Sequence, residues 1–191
     1  MKALKDKILA EGQVLSGDIL KVDGFLNQQM DMRLYQEMGA AIAEHFAQKN
    51  ITKVLTIEAS GIALACSAAQ ALDLVPVVFA KKHKTLNRDA NFLSTPIFSF
   101  THNVQYDVTV AKRFLNKDDR VLIVDDFLAT GEALVGLTKL VEQAGATVVG
   151  MATAIEKGYQ GGGDALRQKG FDVYSLAIID SMENGNINFR M

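Results

Sequence analysis

Apolar runs of strand length alternate along this chain with stretches in which apolar residues return every three or four positions, the pattern left by βαβ units laid into a parallel sheet. Strands are predicted over residues 53–57 and 75–80, around 108–112, and over 121–124, 147–155 and 173–179. Pro76 is tolerated because it stands near a strand start. A helix is predicted from Asp31, as its cap, toward Asn50, with Leu34, Met38, Ala41, Ile42 and His45 on one face. Two more are predicted over 61–72 and 134–144, the second stopped by Gly145. Residues 121–124 are β-rich and free of polar interruption, so they read as a central strand covered on both faces. The fold class is therefore α/β, a doubly wound parallel sheet of about five strands. Residues 81–106 break the pattern: long, polar and aperiodic, they read as a functional loop that opens on basic residues.

Composition narrows the picture. A chain of 191 residues, 49% hydrophobic, buries one sizeable core and reads as a single domain over 1–191. A formal charge of −2 gives no broad field for nucleic acid or an anionic membrane, so neither is expected as a partner and any anion site is local. The lone cysteine, Cys66, rules out a disulfide framework and fits a reducing, cytoplasmic setting. The start, MKALKDKILAEGQ, lacks the apolar run of a secretory signal, and the most apolar stretch, residues 59–80, is broken by Ser60, Gln70, Asp73 and Pro76.

Candidate chemistry gathers in VLIVDDFLATGEA, residues 121–133. Ligands of an open parallel sheet bind outside the carboxyl ends of its strands, and Asp125 and Asp126 are expected at that rim, where the strand over 121–124 runs out. Two adjacent carboxylates there can accept hydrogen bonds from a vicinal diol. Ala129, Thr130, Gly131, Glu132 and Ala133 then turn into a helix whose first N–H groups face an anion. Together they describe a ribose 5-phosphate site. A bare Asp-Asp followed by Thr-Gly would be only a capped turn; the thirteen-residue frame with its apolar strand argues otherwise. His45, His83 and His102 make no ligand spacing, so no histidine is assigned to metal. No G-x-S-x-G elbow or Walker lysine supports a hydrolase or a triphosphatase.

The same segment resembles the phosphoribosyl pyrophosphate-binding signature of the type I phosphoribosyltransferases, with Ala133 standing where many relatives carry a hydroxyl residue. LSGDILKVDGFLNQQMD, TIEASGIALA, FAKKHK and AIEKGYQGG are similar, in order and spacing, to the bacterial xanthine phosphoribosyltransferases of that family, over essentially the whole chain. The resemblance implies transfer of ribose 5-phosphate to N9 of xanthine by a cytoplasmic homodimer of purine salvage. It implies a small hood formed mainly by residues 1–30 with C-terminal residues. Asp125 and Asp126 become the catalytic pair, and Ser60 and Gly61, after Glu58 and Ala59, become the loop that receives pyrophosphate. Adenine-specific relatives usually carry arginine where Ser60 stands, which counts against adenine.

Lys81, Lys82 and Lys84 would neutralise the leaving pyrophosphate, some of them in the partner subunit's site, and residues 85–105 would form a lid. Leu20, Asn27 and Lys157 fall at base-contacting places, with Tyr159 able to stack nearby. Leu20 would pack on the purine face, Asn27 would read the oxo group at C2, and Lys157 would serve O6. Magnesium is implied by the diphosphate and would be held mainly by substrate oxygens and water. Two alternatives stay open: a non-catalytic regulator that senses phosphoribosyl pyrophosphate, and a phosphoribosyltransferase preferring guanine or hypoxanthine. Against the regulator stand the lack of a basic footprint and the mere thirty or so residues before the first core helix, too few for a DNA-binding domain.

Overall fold

The computed structural model describes residues 1–15, 19–83, 90–99, 104–183 and 185–191. Its centre is β7 (Arg120–Leu128), flanked on one side by β8 (Thr147–Lys157) and β9 (Val173–Glu183) and on the other by β3 (Lys53–Ile57) and β4 (Val77–His83). These five strands pair in parallel. Antiparallel strands extend both edges: β10 (Asn186–Phe189) beside β9, and the hairpin β5 (Phe92–Ser99) and β6 (Val104–Ala111) beside β4. The doubly wound α/β reading holds, with five parallel strands inside an eight-stranded sheet.

Successive side chains of a strand point to opposite faces, so a central strand needs two cores. In β7, Leu122 and Val124 enter the core beneath α1 (Lys2–Glu11), α2 (Met32–His45) and α3 (Gly61–Ala71). Val121 and Ile123 enter the other, beneath α4 (Glu132–Gln143), α5 (Gly162–Gln168) and the β5–β6 hairpin. All four are fully buried. Asp31 caps α2, accepting from the N–H groups of Arg33 and Leu34 at 3.2 Å each. Gly145, at φ +73, follows the end of α4 as expected. At one corner β1 (Gln13–Val14) and β2 (Leu20–Lys21) pair antiparallel, a π-helical turn spans Asp23–Asn27, and the Met1 amino group donates to the Leu176 carbonyl.

Several boundaries differ from the sequence reading. Within 81–106, β4 continues to His83, and residues 92–99 and 104–111 form the hairpin. Leu93, Thr95 and Ile97 are buried on one side while Pro96 faces out on the edge strand, where a missing N–H is tolerated. The expected lid shrinks accordingly; residues 84–89 and 100–103, with Lys84 and His102, lie outside the described residues. The helix toward Asn50 stops at His45. His45 is not on the apolar face but at the surface, its Nε2 3.0 Å from Asp172 Oδ1 and its ring stacked on Tyr174. At 158–163, where no element was predicted, a 3₁₀ turn at Gly158–Gln160 leads into α5. Helix α1 was not foreseen, because only Leu4 and Ile8 of its ten residues are buried.

Candidate active site

β7 does not end at Val124. It runs through both aspartates to Leu128, and Asp125 pairs in register with Thr153 of β8. The pair expected at the rim is therefore built into the sheet, with Asp125 5% and Asp126 8% exposed. The two carboxylates stay within reach of one another while meeting different neighbours. Asp126 acts electrostatically on Tyr35 of α2, and Asp125 on Tyr106 of β6. Burial, and then the neighbouring Asp126 charge, pushes the Asp125 carboxyl well above the usual range; the Asp126 N–H, donating to Asp125 Oδ1 at 3.0 Å, and the Lys82 charge pull the other way. The Tyr35 hydroxyl is pushed up to about 12 by burial and then by Asp126, and it donates to the Leu26 carbonyl at 3.0 Å. Tyr106 is raised for the same two reasons, with Asp125 as its neighbour. Negative charge concentrated in so little solvent calls for hydroxyl donors or a cation.

Just past β7, Gly131 sits at φ +89, a torsion that L side chains rarely adopt, and turns the chain into α4. Its carbonyl accepts the first helical bond, from Val135 N–H at 3.0 Å, which leaves the N–H groups ahead of Val135 without helical acceptors. Ala129, Thr130, Gly131, Glu132 and Ala133 line a cavity of about 140 Å³ together with Tyr106 and Gln160. The donors and the helix dipole both favour an anion there. The opposite end of the carboxylate pair meets the start of α3. A Cβ added to Gly61 would lie 2.2 Å from Thr56 Oγ1 and 2.9 Å from Asp125 Oδ1, so only glycine fits against the aspartate. Ser60 precedes it as the N-cap residue, and the buried Thr56 hydroxyl has no partner among the described residues. Glu58 ties this loop to β4 by accepting from Lys82 N–H at 2.8 Å.

The two described lysines of the basic run part company. Lys82 Nζ stands 5.3 Å from the centre of the Tyr106 ring, on the side of the carboxylates. Lys81 projects to the other side of β4, where it borders an apolar groove of about 440 Å³ lined by Phe79, Phe92 and Phe114. Of the base-contacting candidates, Leu20 is 6% exposed within the core beneath α1, α2 and α3, and Asn27, the last residue of the π-helical turn, is exposed. Lys157 is the final residue of β8, its Nζ 5.9 Å from the Phe127 ring centre, and Tyr159 follows in the 3₁₀ turn, 37% exposed. The turn after β7 and this second turn are joined directly, Gly162 N–H donating to the Ala129 carbonyl at 3.2 Å. Sequence reasoning passed over Tyr35, Tyr106 and Glu156. Glu156 alone carried a readable signal, a carboxylate inside an otherwise apolar strand that must find a partner.

Comparison with known proteins fits this geometry. The model of the phosphoribosyl transferase domain matches residues 28–189. The xanthine phosphoribosyltransferase of Bifidobacterium longum subsp. infantis is 57% identical over 100% of both chains, and that of Ruminiclostridium cellulolyticum 55% identical over 99% of both. The solved adenine phosphoribosyltransferase of Rhodothermus marinus superposes with a TM-score of 0.71 at 25% identity, covering 94% of this chain and 100% of that one. No helix among the described residues is long and apolar enough to cross a membrane.

Proposed function

The chain belongs to the phosphoribosyltransferase family, and from that premise we propose that it transfers the 5-phosphoribosyl group of phosphoribosyl pyrophosphate to N9 of xanthine, giving xanthosine 5′-monophosphate and pyrophosphate. The observation that carries the reading is the buried Asp125–Asp126 pair set between two helix starts, the turn into α4 and the Ser60–Gly61 start of α3. Such an arrangement suits a sugar whose hydroxyls meet carboxylates and whose two ends are both anionic. The C1′–oxygen bond breaks, and its electron pair leaves with pyrophosphate. The N9 lone pair then forms the new bond, and the imidazole-ring proton of the purine is released. Asp125 and Asp126 hold the ribose hydroxyls and favour the positive charge that grows at C1′. The α4 turn anchors the 5-phosphate, and Ser60, Gly61 and Lys82 receive the departing pyrophosphate.

Magnesium fits the same residues. Asp125 and Asp126 carry the crowded negative charge a cation relieves, while among the described residues no group of three or more His, Cys, Asp or Glu side chains converges into a protein cage. The ion would arrive on the diphosphate, supported by this pair, and would neutralise the leaving group.

Xanthine is favoured over adenine by the full-length likeness to relatives named xanthine phosphoribosyltransferases and by the donors near the base site. Lys157 donates to O6, and the Asn27 amide meets the oxo group at C2. The exposed Phe79 and Phe114, at 41% and 47%, support a second copy docking on the Lys81 groove, and the cytoplasm is the expected setting. Purified protein with magnesium, phosphoribosyl pyrophosphate and xanthine should release pyrophosphate and form xanthosine 5′-monophosphate. Binding of phosphoribosyl pyrophosphate without turnover on any purine would instead make the chain a sensor of that metabolite.

A further inference from the structure

Glu156 is fully buried at the end of β8, next to the lysine assigned to the purine. Arg167 of α5 holds it with both ends of its guanidinium, Nη1 to Oε1 at 2.9 Å and Nη2 to Oε2 at 2.6 Å, and the Ser175 hydroxyl also donates to Oε2. Ionic contacts continue outward. Arg167 Nη1 reaches Asp164 Oδ1 at 3.1 Å, Arg190 Nη1 reaches the same oxygen at 2.9 Å, and Arg190 Nε reaches Asp180 Oδ1 at 2.9 Å. Backbone contacts fasten the far end, Arg190 N–H donating to the Ile178 carbonyl at 2.8 Å and Lys5 Nζ to the Arg190 carbonyl at 2.9 Å. The chain of charges packs under the turn that follows Lys157. A Cβ added to Gly163 would lie 2.1 Å from Glu156 Oε1, and one added to Gly158 would lie 2.9 Å from Arg190 Nη2 and 3.0 Å from Asp180 Oδ1.

We infer that Glu156–Arg167–Asp164–Arg190–Asp180 is a positioning clamp for the purine, a reading that rests on the proposed role of Lys157. Neighbouring residues of a strand point to opposite faces, so pinning Glu156 toward α5 fixes the direction of Lys157 toward the hood. Arg190 and Asp180 form the floor beneath Gly158, the residue that follows Lys157, and so hold the end of β8 at one height. Exposed ion pairs contribute little by themselves, but this chain starts at a two-pronged pair whose carboxylate is fully buried and has no water to fall back on.

Initial rates with xanthine and with phosphoribosyl pyrophosphate separate positioning from general stability. In R190Q, at the half-exposed end of the clamp, the KM for xanthine should rise roughly tenfold while that for phosphoribosyl pyrophosphate stays within about twofold, since a misplaced contact affects only the substrate it meets. R190K, which keeps the cation but not the fork, should recover part of the loss. E156Q should reproduce the effect from the buried end; if it does not fold, the Arg190 variants still decide. Because the clamp acts through Lys157, the K157A/R190Q double variant should be no worse toward xanthine than K157A. Equal changes in both KM values, no change in R190Q, or additive losses in the double variant would overturn the clamp. A K157A protein with unchanged KM for xanthine would instead sink the assignment of Lys157 to the purine.

Discussion

The proposed phosphate half of the site and the proposed purine half are held by different means. Ala129 to Ala133 continue directly from the central strand, so sheet hydrogen bonds, two packed faces and one glycine torsion fix the anion site through backbone alone. The purine half is assembled from pieces far apart in sequence: Leu20 and Asn27 from the corner hairpin and turn, Lys157 and Tyr159 from the end of β8, and Arg190 beneath them. Side-chain contacts hold these pieces together, among them the Tyr35 hydroxyl on the Leu26 carbonyl. A backbone-built site recognises what every substrate of the family shares, whereas a side-chain-built one can be retuned to choose a base. Substitutions in the first half should therefore change the handling of phosphoribosyl pyrophosphate, and those in the second the choice of purine.

The harshest test removes the charges between the halves. Replacing Asp125 and Asp126 together by Asn weakens two charge-assisted hydrogen bonds worth about 1.5–3 kcal/mol each, so kcat/KM should fall roughly 10²- to 10⁴-fold for every purine. Stability should move the other way. The folded Asp125 carboxyl titrates above its unfolded value, so its contribution to stability is fully present below the unfolded value and is lost as pH rises through the folded one. D125N escapes that loss. Its Tm should exceed that of the parent at neutral pH, with the gap closing in acid; a lower Tm at neutral pH would show that the ionised carboxylate stabilises the fold.

Within the purine half, Asn27→Leu should lower kcat/KM for xanthine more than for hypoxanthine, which lacks the 2-oxo group, by about 1–3 kcal/mol, or roughly 5- to 150-fold. Equal losses for both bases would remove Asn27 from C2. In the phosphate half, Gly131→Val forces a β-branched residue to φ +89, at a strain of about 1–2 kcal/mol. The KM for phosphoribosyl pyrophosphate should rise roughly tenfold while that for xanthine stays nearly unchanged; the reverse pattern would put the phosphate elsewhere. The mildest change is Tyr35→Phe, which strips the Leu26 carbonyl of one hydrogen bond worth about 1 kcal/mol. A few-fold rise in the KM for xanthine alone is expected, and an equal rise for both substrates would deny that the hydroxyl positions the hood.

The same division decides what the sequence reveals. Residues 121–133 are contiguous, and a strand, two carboxylates and a glycine turn must follow one another to work, so that half reads directly from the chain. Its burial did not, since nothing in Asp-Asp says that the sheet continues to Leu128 around it. The hairpin at 92–111 was masked by Pro96 and by hydroxyl residues, although Leu93, Thr95 and Ile97 keep the two-residue period. α1 offers only Leu4 and Ile8 among charged neighbours, too narrow a stripe to announce a helix. Glu156, Arg167 and Arg190 meet only after β8, α5 and the C-terminal residues have packed, and no spacing in the chain links them.

The choice of base is the central claim, and one side-by-side measurement reaches it most directly: kcat/KM of the unaltered protein for xanthine, guanine, hypoxanthine and adenine at saturating magnesium and phosphoribosyl pyrophosphate, followed by pyrophosphate release. Xanthine should stand highest, with hypoxanthine and guanine reduced and adenine unused. A protein that uses adenine, or that prefers hypoxanthine to xanthine, would contradict the roles given to Lys157 and Asn27.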